Sequence, residues 1–316
     1  MAVSAIALAV VFAFADLSKM LEALRLANYP LLLVAFLMSL LWLVVRAVFW
    51  RTLLLDRPSF QQTFFTVNEG YLINNLLPFR LGELARAFLL GRKANLAFWH
   101  VFSSILIERI LDLAMAAALL LSTLPFVLGA SWARPASLAA ISLVLVGLLC
   151  LYFMAHSRER VVGWYEKLAQ RFALLDRIGG EQLLAFFQGL EVLRDGSLFL
   201  RSLLWLLLNW GVAIAQYYLL LRAFFPQAQF LWGAFSLAVG AVGIAAPSSP
   251  GAIGVLEASL VGALALFGLD PSVALAFALS AHLINYLSTG VLGVYALTRD
   301  GLTLTGLYKQ VQTISK

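Results

Sequence analysis

The chain has 316 residues, of which 62% are hydrophobic and only 12% are charged. This composition excludes an ordinary soluble domain, in which about a quarter of the residues are charged, and it indicates a polytopic membrane protein. A single cysteine excludes an intrachain disulfide, and the net charge of +6 does not indicate nucleic-acid binding, because the basic residues lie at loops and membrane ends without interleaved aromatics.

The apolar stretches predict an all-α protein with about six full spans. A hydrocarbon core of about 30 Å needs roughly 20 helical residues. Two stretches, 60–91 and 229–267, are interrupted near their middles by proline and glycine, so each is either a re-entrant hairpin or a pair of short spans. The continuous spans are expected at about 2–18, 29–50, 97–125, 136–155, 201–222 and 272–298.

The domain organisation follows from one polar segment in an otherwise apolar chain. We predict a single transmembrane domain over residues 1–316, with a first half at about 1–155 and a second half at about 196–316. The segment 156–195 carries apolar residues every three or four positions, which predicts an amphipathic helical insert on the cytoplasmic surface. A shorter amphipathic stretch, Leu17–Leu26, predicts an interfacial helix.

The basic residues predict the orientation in the membrane. If the amino terminus is cytoplasmic, fourteen lysines and arginines fall in inside segments and four fall in outside segments, as the positive-inside rule requires. We therefore expect both termini in the cytoplasm, and the two broken elements then enter the membrane from opposite sides. Two similar elements in opposite orientation indicate an inverted repeat, and paired breaks of this kind point to the binding site of a transporter.

The first break carries three charged residues at membrane depth, Arg80, Glu83 and Arg86, spaced three apart. A helix that restarts at Gly82 puts Glu83 and Arg86 on one face, where a mutually neutralising ion pair is one interpretation. The other interpretation is an anion site. The free amides and positive dipole of the helix start would face a phosphate, Arg80 and Arg86 would donate to its oxygens, and Glu83 would hold an arginine or contact a cationic group.

Two asparagines precede the first break. Asn74 and Asn75 come directly before the Leu-Leu-Pro78 run. Because a break frees backbone groups that cost several kcal/mol when unpaired in hydrocarbon, we expect both side chains to hydrogen-bond those groups. Their predicted role is therefore structural.

The second break repeats the pattern with a single charge. Ser248 or Ser249 suits a helix N-cap and Pro250 the first helical position, so a helix is expected to begin at Pro250. Glu257 lies about two turns further on, and its arm has no basic residue, so it finds a partner elsewhere, is protonated or faces water. The residues expected to shape this break are Pro247, Ser249, Pro250, Gly251 and Gly254.

The span at 97–125 carries a charged cluster in its middle. Glu108 and Asp112 are four residues apart and share a helix face, with Arg109 beside them. Either the cluster is self-contained and joins helices, or it supplies partners for the charges of the two breaks. His282, on the last span, is expected to join it from the other side of a cavity.

In this order and spacing, the motifs resemble the lysylphosphatidylglycerol synthase transmembrane-region family, also described as flippase-like or UPF0104 integral membrane proteins. The resemblance covers nearly the whole chain. It is carried by Asn75 through Glu83 with Arg86, by Glu108-Arg109-x-x-Asp112, and by Pro247-x-x-Pro250-Gly251-x-x-Gly254-x-x-Glu257.

The resemblance implies a membrane domain that moves lipid between leaflets. Together with the charged motifs it predicts a flippase-like transporter of the bacterial inner membrane for a phosphate-bearing phospholipid or polyprenyl lipid, and no cofactor, metal or catalytic group is expected. Two departures matter. The soluble aminoacyl-transferase domain of bifunctional members is absent from this sequence, so lipid aminoacylation is not expected, and His282 stands where relatives often carry arginine. The expected substrate-binding residues are Arg80, Glu83, Arg86, Glu108, Arg109, Asp112, Glu257 and His282.

Two alternatives stay open. One is a non-catalytic membrane partner of an envelope-lipid or glycan synthase, which would dock through the insert at 156–195. The other is an intramembrane lipid-modifying enzyme with Glu257 or His282 as acid or base, although the sequence shows no metal-ligand trio and no phosphatase signature.

Overall fold

A computed structural model of the protein describes residues 15–77, 80–129, 194–245 and 249–302, together with Val192 and scattered positions within 4–13 and 135–146. Most of the insert predicted at 156–195, most of the span predicted at 136–155 and part of the span predicted at 2–18 lie outside the described residues. The helices of the continuous ranges are α1 Leu17–Leu26, α2 Tyr29–Leu53, α3 Phe60–Leu76, α4 Leu81–Ala94, α5 Phe98–Leu128, α6 Gly196–Phe224, α7 Phe230–Ala245, α8 Val255–Ala265 and α9 Pro271–Arg299.

The all-α membrane architecture predicted from composition is confirmed. Among the residues that the structure describes, four helices are long and apolar enough to cross a membrane, namely α2, α5, α6 and α9. They coincide with four of the predicted continuous spans. The interfacial helix α1 also has its predicted bounds, because the Asp16 carboxylate accepts hydrogen bonds from the amides of Ser18 and Lys19 and so starts a new helix there. The span predicted at 2–18 therefore ends before Asp16.

Each broken stretch forms a helical hairpin. Hairpin 1 consists of α3 and α4, with 17 and 14 residues, and hairpin 2 of α7 and α8, with 16 and 11 residues, joined through a 3₁₀ turn at Pro250–Ala252. The two arms of each hairpin pack against each other. Every arm is shorter than the roughly 20 residues that cross a hydrocarbon core, so the structure favours the re-entrant interpretation over paired full spans.

The central pair of helices, α2 and α6, runs antiparallel. At one end the amide of Asn28 donates to the carbonyl of Ala223 at 2.9 Å. At the other end Arg201 forms an ion pair with Asp56. The first helix of each half therefore crosses in the opposite direction, as an inverted arrangement requires.

The outer ends of the hairpins lie on opposite sides of this pair. Hairpin 1 begins just after Asp56, and Lys93 at its other end pairs with Asp300 at the end of α9. Hairpin 2 begins on the other side, where Phe230 packs edge-on against Tyr218 near the end of α6.

The packing of the helices repeats between the halves. Along the chain, one half consists of α2, hairpin 1 and α5, and the other half consists of α6, hairpin 2 and α9. The first arm of hairpin 1 packs on α9, and the first arm of hairpin 2 packs on α5, so each hairpin is held by the last helix of the opposite half. One apolar core surrounds α8, α9 and the end of α6, and another joins α2, α4, α5 and the start of α6. This exchange of partners is what an inverted repeat produces.

Candidate functional site

A network of alternating charges connects α2, hairpin 1 and α5 at the centre of the first half. We call it the arginine network. Its members are Arg46, Arg80, Glu83, Arg86, Glu108, Arg109 and Asp112.

The buried centre of the network is the carboxylate of Glu108. Arg86 donates to it twice, from Nη1 to Oε1 at 3.0 Å and from Nη2 to Oε2 at 2.7 Å, and Arg46 Nη2 donates to Oε1 at 2.5 Å. These three side chains are 2% exposed or less. The Arg86 guanidinium also lies 4.0 Å from the ring centroid of Trp50. Because removing one partner of such a buried group leaves an uncompensated charge, this centre is suited to hold α2, α4 and α5 together.

A second carboxylate ties the centre to α6. Arg46 Nη1 donates to Asp112 Oδ1 at 2.9 Å and Arg46 Nη2 to Asp112 Oδ2 at 2.5 Å, which is the planar two-bond geometry that arginine favours. The same guanidinium reaches Asn209 Oδ1 at 3.4 Å. Arg46 thus joins three helices at one point.

The outer end of the network is more exposed. Arg109 donates to Glu108 at 2.7 Å and lies 3.4 Å from Glu83, and Glu83 lies 3.8 Å from Arg80. The exposed fraction of the side chain is 0% at Glu108, 25% at Arg109 and 19% at Glu83, and it is largest at Arg80, with 42%. Four arginines face three carboxylates in the network, so one positive charge is in excess, and the accessible part lies at Arg80.

The ion pair between Glu83 and Arg86, one of the two interpretations of the first break, does not form. Glu83 pairs with Arg80 and Arg109, whereas Arg86 pairs with Glu108. The reason is tertiary packing, since α5 lies against α4 and brings its own carboxylate to Arg86. The span at 97–125 therefore supplies a partner for the first break, as its second interpretation expected.

Polar side chains form hydrogen bonds at the first break, where the backbone leaves the helical conformation. Arg80 adopts a left-handed conformation, with φ of 54° and ψ of 39°, and α4 begins at the next residue. The amide of Gly82 donates to Asn74 Oδ1 at 2.8 Å, and Asn75 Nδ2 donates to Thr289 Oγ1 at 2.9 Å. Asn74 thus satisfies a backbone group of the break, and Asn75 ties it to α9. Pro78 lies outside the described residues.

The second break holds a different arrangement, the Glu257–His282 pair. Glu257 Oε1 lies 2.5 Å from His282 Nδ1, and Glu257 Oε2 accepts from the amide of Gly254 at 2.7 Å. His282 Nε2 lies 2.9 Å from the carbonyl oxygen of Gly251. Tyr286 stacks on the imidazole with ring centroids 4.4 Å apart. Glu257 finds its partner on α9, which is one of the outcomes left open by the sequence.

The helix after the second break starts later than predicted. A 3₁₀ turn occupies Pro250–Ala252, and α8 begins at Val255 rather than at Pro250. The reason is glycine, because Gly251 and Gly254 have φ of 63° and 89°, which interrupt a right-handed helix. The Ser249 hydroxyl does not cap a helix but donates to the carbonyl of Ile253 at 2.9 Å. Pro247 lies outside the described residues.

The sequence predicted that these charged residues face one cavity, whereas the structure separates them into two clusters. His282 pairs with Glu257 and is not a member of the arginine network. The clusters approach each other through hairpin tips, where Arg80 Nη2 donates to the carbonyl of Ile244 at 2.6 Å. This bond joins the tip of hairpin 1 to the inner end of α7 in hairpin 2.

Two charged residues that contribute here were not singled out from the sequence. Arg46 lies inside the span predicted at 29–50, and an arginine in an apolar span was itself a usable signal. Lys93 is one of the basic residues of the inside segments, yet its Nζ lies 2.6 Å from Glu69 Oε2, a carboxylate with 0% exposure. That pair anchors the outer end of hairpin 1.

Two open clefts among the described residues are lined by residues that belong to neither cluster. One of about 390 Å³ is lined by α1, the end of α6 and the start of α9, and another of about 320 Å³ is an apolar groove between α2 and α9. Among the described residues, no group of three histidine, cysteine, aspartate or glutamate side chains is placed to hold a metal ion.

Comparison with known proteins gives a consistent result. A family described as the lysylphosphatidylglycerol synthase TM region matches residues 1–293. A UPF0104 membrane protein of Methanothermobacter thermautotrophicus is 22% identical, and the match covers 96% of this chain and 95% of that protein. Two UPF0104 membrane proteins of Methanocaldococcus jannaschii are 22% and 26% identical, over 91% and 70% of this chain and 90% and 91% of their own lengths. No solved structure matches the chain.

Proposed function

The chain belongs to the lysylphosphatidylglycerol synthase transmembrane-region family, and from that premise we propose that it moves a phosphate-bearing lipid between the two leaflets of the membrane. The family name places the chain in a membrane-lipid context. The observation that carries the finer proposal is the meeting of two re-entrant hairpins from opposite sides, with the partly exposed Arg80 bonded across their tips. Irregular backbone at membrane depth is tolerated where it is buried in protein or lines a watery cavity.

The outer end of the arginine network supports binding of a head-group phosphate. Arg80 and Arg109 are its exposed cations, and the excess positive charge of the network favours a single anionic group there. Arg86 is 1% exposed and both of its terminal nitrogens are bonded to Glu108, so its role is to position the site. The amide of Gly82 is already bonded to Asn74, which leaves the arginines as the principal donors.

The bond between Arg80 and Ile244 suggests how binding is linked to movement. A carbonyl is a neutral acceptor, whereas a phosphate oxygen forms a stronger, charge-assisted bond with a guanidinium. A phosphate that takes Arg80 therefore weakens the contact between the tips. Because the hairpins open to opposite sides, release of that contact lets one hairpin expose the site while the other keeps it closed.

The proposed orientation places both termini in the cytoplasm of a bacterial inner membrane. The support is the positive-inside distribution, with fourteen basic residues against four. Single cysteines at Gln61 and Gln229, in a Cys150→Ser background, lie at the exposed outer ends of hairpins 1 and 2. In right-side-out vesicles a membrane-impermeant thiol reagent should label position 229 and spare position 61. The opposite pattern overturns the orientation, and labelling of both positions from one side overturns the inverted arrangement.

Transport is tested with purified protein in liposomes that contain a fluorescent phospholipid. A membrane-impermeant reductant destroys the label of the outer leaflet only, so exchange between leaflets appears as loss of the protected fraction. We expect that loss with the unchanged protein and its absence with Arg80→Ala. Arg92→Ala, at the outer end of the same hairpin, is the matched control and should retain exchange.

Two outcomes contradict the proposal. Exchange by Arg80→Ala at the rate of the unchanged protein would exclude the hairpin tips as the site. A chemically altered lipid, detected by mass spectrometry of the same liposomes, would support the intramembrane enzyme instead.

A further inference from the structure

We propose that the Glu257–His282 pair is a proton-binding site, and that loss of its one shared proton releases hairpin 2 from α9. In the proposed transporter this proton would control the movement of hairpin 2, and to that extent the inference rests on the proposed function. It is carried by the geometry of four atoms in a buried part of the second half.

The first step is the assignment of protons. The Gly251 carbonyl can only accept a hydrogen bond, so His282 Nε2, at 2.9 Å, carries a hydrogen. The other ring nitrogen, Nδ1, lies 2.5 Å from Glu257 Oε1. A contact this short needs one proton between the two atoms. The pair is then either imidazolium with carboxylate or imidazole with carboxylic acid, and both forms are neutral overall.

The second step is the consequence of losing that proton to water. The neutral imidazole then has a single hydrogen for two acceptors, Glu257 Oε1 and the Gly251 carbonyl, so one ring nitrogen faces an oxygen with its lone pair, and the pair carries a net negative charge. Glu257 and His282 are 2% and 5% exposed, so solvent stabilises that charge poorly. The amide of Gly254 would still donate to the carboxylate. One of the two contacts that His282 makes with hairpin 2 therefore changes from attractive to repulsive.

The third step is the surroundings of the pair. The groups with titratable side chains that face Glu257 are His282 and Tyr286 from α9 and Tyr217 from α6. Arm α7 has no titratable side chain, and α8 has only Glu257 itself. On α3, which contacts the turn of hairpin 2, the carboxylate of Glu69 is bonded to Lys93. Within the described part of the chain, no lysine or arginine is placed to substitute for the proton.

The fourth step is mechanical. His282 holds hairpin 2 at two points, the carboxyl of α8 and the carbonyl of Gly251 in the turn. Gly251 also lies so close to the Tyr286 hydroxyl that a side chain at this position would overlap it. One imidazole thus fixes both the turn and the second arm to α9. Reversal of one of its two contacts weakens the attachment of the whole tip.

The experiment measures the distance between hairpin 2 and α9 as a function of pH. Spin labels on Ile253→Cys and Leu287→Cys, both at exposed side chains, are introduced in a Cys150→Ser background. Pulsed dipolar spectroscopy in liposomes, from about pH 5 to about pH 9, covers the range in which histidine sites ordinarily change charge. We expect one short distance at low pH and a longer second population that grows as the pH rises.

Two variants make the measurement specific. In Glu257→Gln the carboxamide N–H donates permanently to Nδ1, so the short distance should persist across the whole range. Glu69→Gln neutralises a buried carboxylate of hairpin 1 and should leave the pH response of hairpin 2 in place. Nitrogen-15 spectra of the histidine rings in the unchanged chain, with His282 identified from His282→Asn, should show loss of the shared proton over the same pH range.

The outcomes separate this inference from the proposed function. A distance that does not change with pH in the unchanged chain, or a Glu257→Gln variant that responds as the unchanged chain does, overturns the proton site. Neither measurement requires lipid transport. A pH-dependent distance in a protein that exchanges no lipid therefore supports the proton site and contradicts the transporter.

Discussion

The two hairpins share a backbone design, a helical stretch interrupted near its middle, but different side chains hold them in place. Hairpin 1 is fixed by arginines, which stay charged at any pH that a cell experiences, against three carboxylates. Besides its apolar packing, hairpin 2 is fixed to α9 by one carboxyl and one imidazole. The arginines that hold hairpin 1 therefore keep their charge at any cellular pH, whereas the attachment of hairpin 2 depends on a single proton.

This difference suggests a division of labour between the halves of an inverted repeat. The permanent charges of hairpin 1 suit a site that must attract an anionic group at all times. The neutral pair of hairpin 2 suits an element whose attachment has to change. If the comparison is right, the largest losses of stability should follow from changes to the contacts that hold hairpin 1, and changes in hairpin 2 should be milder.

The strongest test of the comparison is Glu108→Ala. It removes the carboxylate that Arg46 and Arg86 share and leaves two buried guanidinium groups with fewer partners. Breaking a buried ion pair in this way costs about 3–5 kcal/mol. We expect a large drop in the thermal unfolding temperature of the purified protein, or failure to accumulate in the membrane. The control Glu22→Ala, on the exposed face of α1, should unfold as the unchanged protein does. Equal stability of the two variants would mean that the network does not hold hairpin 1.

A second, smaller effect is expected from Gly82→Ala. The backbones of α3 and α4 meet at this glycine, and an added methyl group would overlap the carbonyl oxygen of Gly70 and the side chain of Asn74. A backbone atom cannot move aside cheaply, so we expect a loss of about 1–3 kcal/mol, as for overpacking in a core. Gly243→Ala in hairpin 2 is the matched variant. Its methyl group would meet the Ser259 hydroxyl, a side chain that can rotate away, so its thermal unfolding temperature should fall less.

The sequence predicted those features that depend on local pattern. The positions of both breaks, the opposite entry of the hairpins and the bounds of α1 follow from proline, glycine, helical periodicity and the distribution of basic residues. The start of α8 was misplaced by five residues, because Pro250 is a good first helical residue locally, whereas the positive φ of Gly251 and Gly254 decides the actual start.

The pairing of charges could not be predicted, because it depends on which helices pack together. Glu83 and Arg86 share a face in sequence terms, yet each takes a partner from α5. A count of the basic residues nevertheless identifies Arg46 as an arginine inside a predicted span. Of the 22 lysines and arginines, eighteen fall in the inside and outside segments, and the four that are left over are Arg46, Arg80, Arg86 and Arg109. These are the four cations of the arginine network.

A third prediction concerns the hydrogen bond from the amide of Gly82 to the side chain of Asn74 at the first break. Asn74→Ala leaves the amide of Gly82 without the side-chain oxygen that now accepts its hydrogen. Loss of a helix-capping side chain typically costs about 1 kcal/mol, so we expect a modest decrease in the thermal unfolding temperature. Asn74→Asp keeps an acceptor oxygen and should recover most of that loss. An Asn74→Ala variant as stable as the unchanged protein would show that the packing of Gly82, not the capping bond, sets the start of α4.

The smallest effect should come from Gly262→Ala, on the second arm of hairpin 2. No atom lies within 4 Å of the position that an added methyl group would take, and the residue sits inside the helix α8. Alanine in a helix interior is favoured over glycine by up to about 1 kcal/mol, so the thermal unfolding temperature should stay the same or rise slightly. A clear decrease would mean that this face of α8 packs closely against another surface in the folded protein. Close packing of a further face of α8 would then add to the attachment by the Glu257–His282 pair, and the contrast with hairpin 1 would weaken.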